Sequence, residues 1–391
     1  MKIMSINCGS SSLKFSLFDM MNNTVIASGL FERIGIEGSL YTIKYNGEKV
    51  TENVEMTTHT DAVNILFDKL ITLGIISSLE EIDGVGHRIV HGGKYSQSQL
   101  VTDEVIEYME SITDFAPLHN PAHVLGIKAF KEALSKVPMV VVFDTAFHQT
   151  MPEENYLYAV PYEWCEKYGV RKYGFHGTSH RYITQTISKE LGRDDLRIIS
   201  CHLGAGGSVA AIKDGKCLDT SMGFTPLAGI VMGTRSGDID PSIIPYVMEK
   251  EGLNASEFIN VLNKKSGMLG ISGKSSDARD IEDGVKAGDA RCILANNKFV
   301  NSVVDYIARY YVEMGGADVI CFTAGIGEKA PSSRLAIIEK LACLGIKIDV
   351  EKNSVRGEFA KISTDDSSVA VYVVPTDEEL MIALDTMNLI K

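Results

Sequence analysis

Six short polar segments of the sequence combine glycine or other small residues with side chains that bind phosphates or metal ions. Each follows an apolar run typical of a buried strand, so the segments are expected at the carboxyl ends of strands, where open α/β sheets bind ligands. Six such segments favour the lining of one cleft over six ordinary loops. They are residues 7–12, 86–93, 144–148, 202–208, 324–329 and 376–379.

Two turns of small residues, at 8–12 and 204–207, suit a phosphate because small residues let backbone N–H groups approach an anion closely. Lys14 lies just past the first turn, where it would reach a phosphate or stand as an ordinary solvated strand lysine. Arg235 lies among small residues, and its guanidinium would either clamp phosphoryl oxygens or pair locally with Asp238.

His176 and His180 are four residues apart, a spacing that suggests a metal site on a helix. Thr178 or Ser179 is expected to cap the following helix, which would place His176 before it and on no common face with His180. The sequence has no HExxH motif and no third ligand at a suggestive spacing, so zinc is disfavoured. His176 is better interpreted as a donor to developing negative charge, with a structural histidine as the alternative.

Two other motifs predict nucleotide binding less well. Gly273-Lys274-Ser275 resembles the end of a P-loop, but Met268 stands where that pattern needs glycine. Residues 325–330 fit GxGxxA after an apolar run, with Asp349 near the position of a ribose-binding acid. Pro331 predicts a late helix start, and too little chain remains for a dinucleotide-binding sheet. An NAD-dependent Rossmann dehydrogenase is therefore kept only as an alternative of a different class.

The elements that must position these segments contain a repeat. Residues 1–6, 13–17 and 24–30 predict three strands around two turns, and residues 196–201, 208–212 and 217–220 repeat the pattern, with Gly9 aligned to Gly204. This predicts an α/β fold with a duplicated core and a cleft between the halves; chance similarity of two hairpins is the alternative. Further strands are predicted at 82–90, 138–143, 318–322 and 369–374, and helices at 62–73, 123–134, 240–251, 255–262 and 293–314.

Composition narrows the class of protein. A chain of 391 residues predicts two domains, and a net charge of -13 argues against a nucleic-acid or anionic-membrane partner. The N-terminus lacks the continuous apolar segment of a signal peptide, and no run of apolar residues is long enough to span a membrane. The 7 cysteines are scattered without a CxxC pair, which favours reduced, buried thiols in a cytoplasmic protein.

In their order along the chain, these segments resemble the motifs of the acetate kinase (acetokinase) family, from residue 3 to about residue 385. The matching runs are NCGSSSLKF at 7–15, GHRIVHGG at 86–93, FDTAFH at 143–148, YGFHGTSH at 173–180, the stretch 219–241, SSD at 275–277, AGIGE at 324–328 and PTDEEL at 375–380.

The resemblance implies the duplicated, ribonuclease H-like ATPase fold of actin, sugar kinases and the large heat-shock chaperones, in a homodimer. Residues 1–147, completed by a C-terminal helix at about 377–391, would form one domain, and residues 148–376 the nucleotide-binding domain. The implied activity is the reversible phosphorylation of acetate by ATP with Mg²⁺, or Mn²⁺ in its place, giving acetyl phosphate and ADP. A propionate or other short-chain acyl kinase is the close alternative, and a nucleotide-switched ATPase without kinase activity is a more distant one.

The resemblance also implies roles for individual residues. Asp144 would be the catalytic carboxylate, His176 and Arg235 would stabilise the transition state, and Arg88 would hold the substrate carboxylate and the phosphoryl group. Asn7 and Glu378 would bind the metal. Val90, Leu118, Phe175 and Pro226 would form the pocket for the acyl methyl group. The nucleotide site would consist of Lys14, His202, Leu203, Gly204, Ala205, Gly206, Asp277, Ala278, Arg279, Gly325, Ile326, Gly327, Glu328 and Lys329.

Two details of these assignments depend on single residues. The family usually has asparagine at the position of Ala205, so one polar contact to the nucleotide phosphates is expected to be missing. Thr376 and Glu379 have the spacing of a capping box, which predicts that Glu379 is occupied at a helix start while Glu378 stays available for the metal.

Overall fold

The computed structural model describes residues 1–117 and 119–391. The chain divides into two compact units: unit 1 is Met1–Phe147 with Asp377–Lys391, and unit 2 is His148–Thr376. Unit 1 contains strands β1 (Lys2–Gly9), β2 (Ser12–Asp19), β3 (Thr24–Glu32), β4 (Leu40–Tyr45), β5 (Glu48–Asn53), β6 (Gly84–Ile89), β7 (Gln99–Leu100) and β8 (Met139–Phe143). Its helices are α1 (His59–Thr72), α2 (Asp103–Ser111), α3 (Asn120–Ala133) and, at the C-terminus, α14 (Glu378–Ile390).

Unit 2 contains strands β9 (Arg197–Leu203), β10 (Gly207–Lys213), β11 (Lys216–Thr220), β12 (Val319–Thr323), β13 (Ala360–Lys361) and β14 (Ala370–Val373). Its helices are α4 (Glu153–Tyr156), α5 (Glu163–Tyr168), α6 (Gly177–Leu191), α7 (Ile243–Glu251), α8 (Ala255–Lys264), α9 (Gly267–Ser272), α10 (Ala278–Lys286), α11 (Ala290–Glu313), α12 (Ala324–Lys329) and α13 (Pro331–Lys340).

The sheet of unit 1 is covered by helices on both faces, as the alternation of its apolar side chains predicts. In β1, Met4, Ile6 and Cys8 pack in a core with residues of α1 and α3, whereas Ile3 packs with α14. In β8, all five residues are buried, which explains its continuous apolar run.

Six strands of unit 1, without the additional β4 and β5, have the same order as the six strands of unit 2, so the predicted duplicated α/β fold is confirmed. Unit 1 has the order β5-β4-β3-β2-β1-β6-β8-β7, and unit 2 has the order β11-β10-β9-β12-β14-β13. In each, an antiparallel meander ends in a strand that pairs in parallel with a second strand, the second pairs in parallel with a third, and an antiparallel edge strand follows. Chance similarity of two hairpins would not reproduce the parallel strands and the edge strand as well.

Helix α14 packs directly against β6, because glycine at position 86 leaves room for it. A Cβ atom on Gly86 would lie 2.2 Å from Thr386 Oγ1 and 2.6 Å from Ile382. This close approach fixes the start of α14, which carries Glu378 and Glu379, on the side of the strand that carries Arg88. It explains why the C-terminal helix belongs to unit 1.

The starts of three helices that follow site motifs differ from their sequence predictions. The N-cap of α14 is Asp377, whose carboxylate accepts the Leu380 N–H at 2.9 Å, so the predicted capping box of Thr376 and Glu379 is wrong. Aspartate caps a helix better than threonine and stands one residue later. Helix α6 begins at Gly177 with His176 at the N-cap, not at Thr178 or Ser179. Helix α12 begins directly after β12, so the predicted late start is also wrong.

A search of the described residues for helices long and apolar enough to span a membrane finds none.

Candidate active site

Arg88 and Asp144 form a two-pronged ion pair at the ends of two neighbouring parallel strands of unit 1. Arg88 Nε donates to Asp144 Oδ1 at 3.0 Å, and Nη2 donates to Oδ2 at 2.6 Å. Asp144 is 1% exposed and follows β8, and its backbone N–H donates to Ile89 at the end of β6. The Asp144 charge, with the charges of Glu378 and Glu379, outweighs burial and raises the Arg88 pKa above its ordinary value.

The start of α14 brings two carboxylates into the electrostatic environment of Arg88, and each has a different partner. Glu379 forms an ion pair with Lys14, a residue of β2. Glu378 is half-buried, and its charge contributes to the raised Arg88 pKa. Asn7 lies in β1 opposite Lys14 in the strand register. Glu379 is thus occupied, as predicted, but by a lysine and not by a helix cap.

Arg235 in unit 2 is mostly enclosed and makes no local pair with Asp238. Its Nη1 donates to the Pro226 carbonyl at 3.3 Å, and burial lowers its pKa. Asp238 instead accepts the Gly229 N–H at 2.8 Å and the Tyr306 hydroxyl at 2.5 Å. This excludes the local salt bridge as the role of Arg235 in the structure.

His176 and Arg235 approach the same glycine of the loop between β9 and β10. A Cβ atom on Gly206 would lie 3.2 Å from Arg235 Nη1 and 3.8 Å from His176 Nε2. His176 has a left-handed backbone with φ of 59°, and its ring stacks on His202 with centroids 4.1 Å apart. Both candidate transition-state residues therefore border the loop that the sequence assigned to phosphates.

His180 shares a hydrogen-bond partner with His176, although His176 lies before the helix, as predicted. Ser208 Oγ lies 2.9 Å from His176 Nδ1 and 2.8 Å from His180 Nε2. His176 reaches this hydroxyl from the N-cap position. The predicted cap at Thr178 or Ser179 did not indicate this contact. The pair thus meets at a serine.

A cavity of about 630 Å³ in unit 2 begins at the same loop. Its size fits a nucleoside, and its walls combine apolar side chains with a few charged groups. Eight of the predicted nucleotide-site residues line it: Gly204, Ala205, Asp277, Ala278, Arg279, Gly325, Ile326 and Lys329.

The remaining predicted nucleotide-site residues lie outside the walls recorded for this cavity. His202 Nδ1 lies 2.8 Å from Ser179 Oγ, and Leu203 is buried. The Glu328 carboxylate accepts the Ala324 N–H at 2.8 Å and the Thr376 N–H at 3.2 Å, so it stabilises the start of α12. Lys14 belongs to unit 1, as does its partner Glu379. Gly206 and Gly327 are the other two predicted nucleotide-site residues that do not line the cavity.

Several wall residues were not predicted from the sequence, although helical spacing would have found some of them. Ala278, Ile281, Glu282 and Val285 lie on one face of α10, at the spacing of neighbouring helical turns. Only Ala278 was assigned, through its motif. The other unassigned wall residues are Met268, Ser276, Asn296, Phe299, Ala330, Ser332, Ser333 and Arg356.

Arg334 is completely buried and binds backbone groups next to the residues that line the cavity. Its Nη1 donates to the carbonyls of Gly327 and Glu328 at 2.9 Å each. Its Nε and Nη2 donate to Asn353 at 2.8 and 2.6 Å, and Nη2 also donates to Val355 at 2.8 Å. Arg334 therefore joins helix α12 to the segment that carries Arg356.

The predicted acyl pocket is only partly described. Val90 is buried in unit 1, and Phe175 is buried in unit 2, where the Pro226 carbonyl accepts a hydrogen bond from Arg235. His148 Nε2 lies 2.8 Å from the Phe175 carbonyl. Leu118 lies outside the described residues.

Comparison with known proteins agrees with these observations. The model of the acetokinase family matches residues 2–384. The chain is 57% identical to a Bacillus subtilis protein named acetate kinase, over 100% of both chains. A crystal structure of Porphyromonas gingivalis acetate kinase superposes with a TM-score of 0.95 at 48% identity, covering 100% of both chains. A propionate kinase from Francisella tularensis superposes with a TM-score of 0.94 at 42% identity, covering 99% of both. The chain therefore belongs to the acetokinase family.

Proposed function

We propose that this protein is an acetate kinase, which transfers the γ-phosphoryl group of ATP to acetate and forms acetyl phosphate and ADP reversibly. The observation that carries the proposal is the arrangement around the loop at 204–206 in unit 2. A cavity large enough for a nucleoside begins at this loop, and Arg235 Nη1 and His176 Nε2 border the same loop. Full-length identity to relatives named acetate kinase supports the same activity.

The proposed acceptor needs little acid–base help, because a carboxylate is already ionised at neutral pH. Catalysis is then mainly a matter of positioning and charge stabilisation. We assign Arg235 and His176 to the phosphoryl oxygens in transit, since both are donors held by contacts within unit 2. Because the product is a mixed anhydride with a high transfer potential, formation of ATP from acetyl phosphate is the chemically easy direction.

Arg88 is assigned to the carboxylate of the acceptor and to the phosphoryl group. Two of its nitrogens already bind Asp144, which fixes the plane of the guanidinium. The remaining nitrogen is left to bind substrate oxygen. Asp144 thus acts first as an orienting carboxylate, because its two oxygens accept from a cation that stays protonated at all relevant pH values.

Asn7 and Glu378 fit a Mg²⁺ ion, with Mn²⁺ as a substitute. The pair supplies one amide oxygen and one carboxylate, and hard oxygen ligands of this kind suit both ions. Two protein ligands are few, but Mg²⁺ is commonly held by one or two carboxylates together with substrate phosphates and water. When bound, the ion would neutralise negative charge on the nucleotide phosphates.

The nucleotide is assigned to the cavity of unit 2, with its phosphates toward Gly204 and Gly206. Ala205 is exposed at this loop, and its carbonyl accepts the Gly233 N–H at 3.1 Å. The usual asparagine amide is missing, and the Gly204 N–H donates to the Gly206 carbonyl at 3.0 Å, so we assign the backbone N–H groups of Ala205 and Gly206 to the phosphates. As in the family, we also propose a homodimer that works in the cytoplasm, where its co-substrate ATP is available.

Propionate is the second candidate acceptor, because a propionate kinase is among the close structural relatives. A hydroxamate-trapping assay with formate, acetate, propionate and butyrate, and with ATP or pyrophosphate as donor, tests both candidates. We expect acetate and ATP to give the highest kcat/KM. Each methylene that does not fit the pocket of Val90, Leu118, Phe175 and Pro226 should reduce kcat/KM by roughly 10- to 200-fold. Equal use of butyrate and acetate would contradict the pocket assignment, and no acyl phosphate from any acid would contradict the kinase activity.

A further inference from the structure

Three buried side chains in unit 2 form a hydrogen-bonded chain that ends at His176. Ser200 Oγ lies 2.9 Å from His180 Nδ1, and His180 Nε2 lies 2.8 Å from Ser208 Oγ. The same Ser208 oxygen lies 2.9 Å from His176 Nδ1. Ser200, His180 and Ser208 are each 0% exposed, so water does not compete for these bonds.

The number of protons in this chain restricts how it can be arranged. A serine hydroxyl has one proton, and the two imidazoles are the only acceptors recorded for buried Ser208 among the described residues, so Ser208 donates to one imidazole and accepts from the other. Burial lowers the pKa of His180 well below its ordinary value. His180 is therefore neutral and carries one ring proton. Two arrangements remain: every donor points toward His176, or every donor points away from it.

Ser200 decides between these two arrangements. Among the residues that the structure describes, His180 is the only recorded hydrogen-bond partner of the Ser200 side chain. If the donors pointed away from His176, His180 Nδ1–H would donate to Ser200, and the Ser200 hydroxyl proton would be buried without an acceptor. Buried donors without acceptors are rare because they lose their hydration without compensation. The donors therefore point toward His176.

This direction determines which nitrogen of His176 carries the proton. Ser200 donates to His180 Nδ1, His180 Nε2–H donates to Ser208, and Ser208 donates to His176 Nδ1. Nδ1 of His176 is then an acceptor, so the neutral ring carries its proton on Nε2. Nε2 is also the atom that borders the phosphate loop with Arg235 Nη1. The ring plane is held by stacking on His202 with an interplanar angle of 19°.

We infer that Ser200, His180 and Ser208 are positioning residues that fix the Nε2–H tautomer of His176, which makes a neutral His176 the hydrogen-bond donor to the phosphoryl group in transit. The catalytic part of this inference depends on the proposed function, whereas the tautomer itself does not. A neutral donor can act without a protonation step and without first taking up a positive charge beside Arg235.

The tautomer can be measured directly by ¹⁵N NMR on full-length protein labelled at histidine, with His176 assigned by comparison with His176→Gln. We expect the Nδ1 signal of His176 in the range of an unprotonated nitrogen and the Nε2 signal in the range of a protonated one. In Ser208→Ala the fixed tautomer should be lost, whereas Ser208→Thr, which keeps the hydroxyl, should preserve it. A proton on Nδ1 in the unmodified protein would overturn the inference.

Turnover provides the second measurement. Ser208→Ala should lower kcat about 10- to 100-fold with little change in KM for ATP, as expected when a donor acting in the transition state is lost. Ser208→Thr should recover most of that loss. Ser200→Ala, which removes the end of the chain, should mix the two tautomers and lower kcat less. Unchanged kcat and an unchanged tautomer in Ser208→Ala would refute the positioning role. The predicted tautomer in a protein that phosphorylates no carboxylate would support the chain and refute only its catalytic part.

Discussion

At the scale of a single residue, Arg235 illustrates how an enclosed positive charge without an acidic partner indicates a site for an anion. In the described part of the chain no carboxylate is recorded beside it, and its one oxygen contact, at 3.3 Å, is the Pro226 carbonyl. An enclosed guanidinium remains protonated, and here no negative charge among the described residues balances it. Binding of an anion at this position is therefore strongly favoured. Its neighbour across Gly206 is a neutral donor rather than a second cation.

Alanine at either position should impair the chemical step far more than nucleotide binding. We expect Arg235→Ala and His176→Ala each to lose roughly 10²–10³ in kcat while the Kd for ATP changes little, because the lost donors act on charge that develops in the transition state. Steady-state kinetics with a separate ATP-binding measurement would test this. Arg193→Ala, which removes an exposed arginine paired with Asp195, is the matched control and should leave kcat unchanged. Near-normal turnover in either active-site variant would return that residue to a structural role.

Substitutions of the two neighbouring glutamates at the start of α14 should have clearly different effects on the Mg²⁺ requirement. Glu378→Gln removes the proposed metal carboxylate and should raise the Mg²⁺ concentration needed for half-maximal activity. Glu379→Gln breaks the ion pair with Lys14 and should leave that Mg²⁺ requirement unchanged. Both substitutions keep the shape of the side chain. Mg²⁺ titrations of the two variants measure the difference, and a raised requirement in Glu379→Gln alone would exchange the two roles.

At the scale of elements, the sequence predicted the strands well and the helix starts poorly. Apolar runs such as 138–143 and 318–322 were found within one residue of β8 and β12, because burial on both faces leaves an unmistakable pattern. A helix start depends on which of several adjacent residues caps it. Thr376 and Asp377 both qualify by type, and the structure uses Asp377, which is the stronger cap and stands one residue later.

Some residues of the candidate site could be predicted from motifs, whereas others come together only in the folded chain. Arg88, Asp144, His176 and Arg235 stand in motifs and were predicted individually. The chain from Ser200 to His176 was not, because it joins β9, β10 and α6 through side chains of ordinary type. The role of Arg334 was not predicted for the same reason. An arginine in an amphipathic helix is expected to be exposed to solvent, and this one is buried because it binds the turn at 353–355.

Removing Arg334 should damage both the stability of unit 2 and nucleotide binding. Arg334→Met would leave buried carbonyls of Gly327 and Asn353 without this donor, at about 1–3 kcal/mol for each unsatisfied group. We therefore expect a marked fall in Tm and, in the protein that still folds, a raised KM for ATP with an unchanged KM for acetate. Arg193→Met is the control on the surface. Equal increases in both KM values would argue against a specific effect on the nucleotide cavity.

The stability of the molecule as a whole should depend strongly on pH below neutrality, because both units contain buried histidines. Burial lowers the pKa of His87 and His123 to about 3 and the pKa of His91 and His148 to about 4. An unfolded chain has histidine pKa values near about 6.5. Between about pH 6.5 and pH 4 the unfolded state therefore binds more protons than the folded state, so stability falls as the pH falls through that window.

Each such histidine should contribute a loss of up to about 1.4 kcal/mol per pH unit, and several together should make acid unfolding steep. Melting curves from pH 7.5 to 5 would show a falling Tm, with an uptake of several protons on unfolding. His87→Leu should reduce that uptake by about one proton without removing a bond of Nε2, which has no hydrogen-bond partner among the described residues. Arg193→Met, a surface substitution that removes no histidine, is the control and should keep the original slope. A Tm that stays constant across this range would mean that the buried histidines gain protons without unfolding, and the burial argument would have to be abandoned.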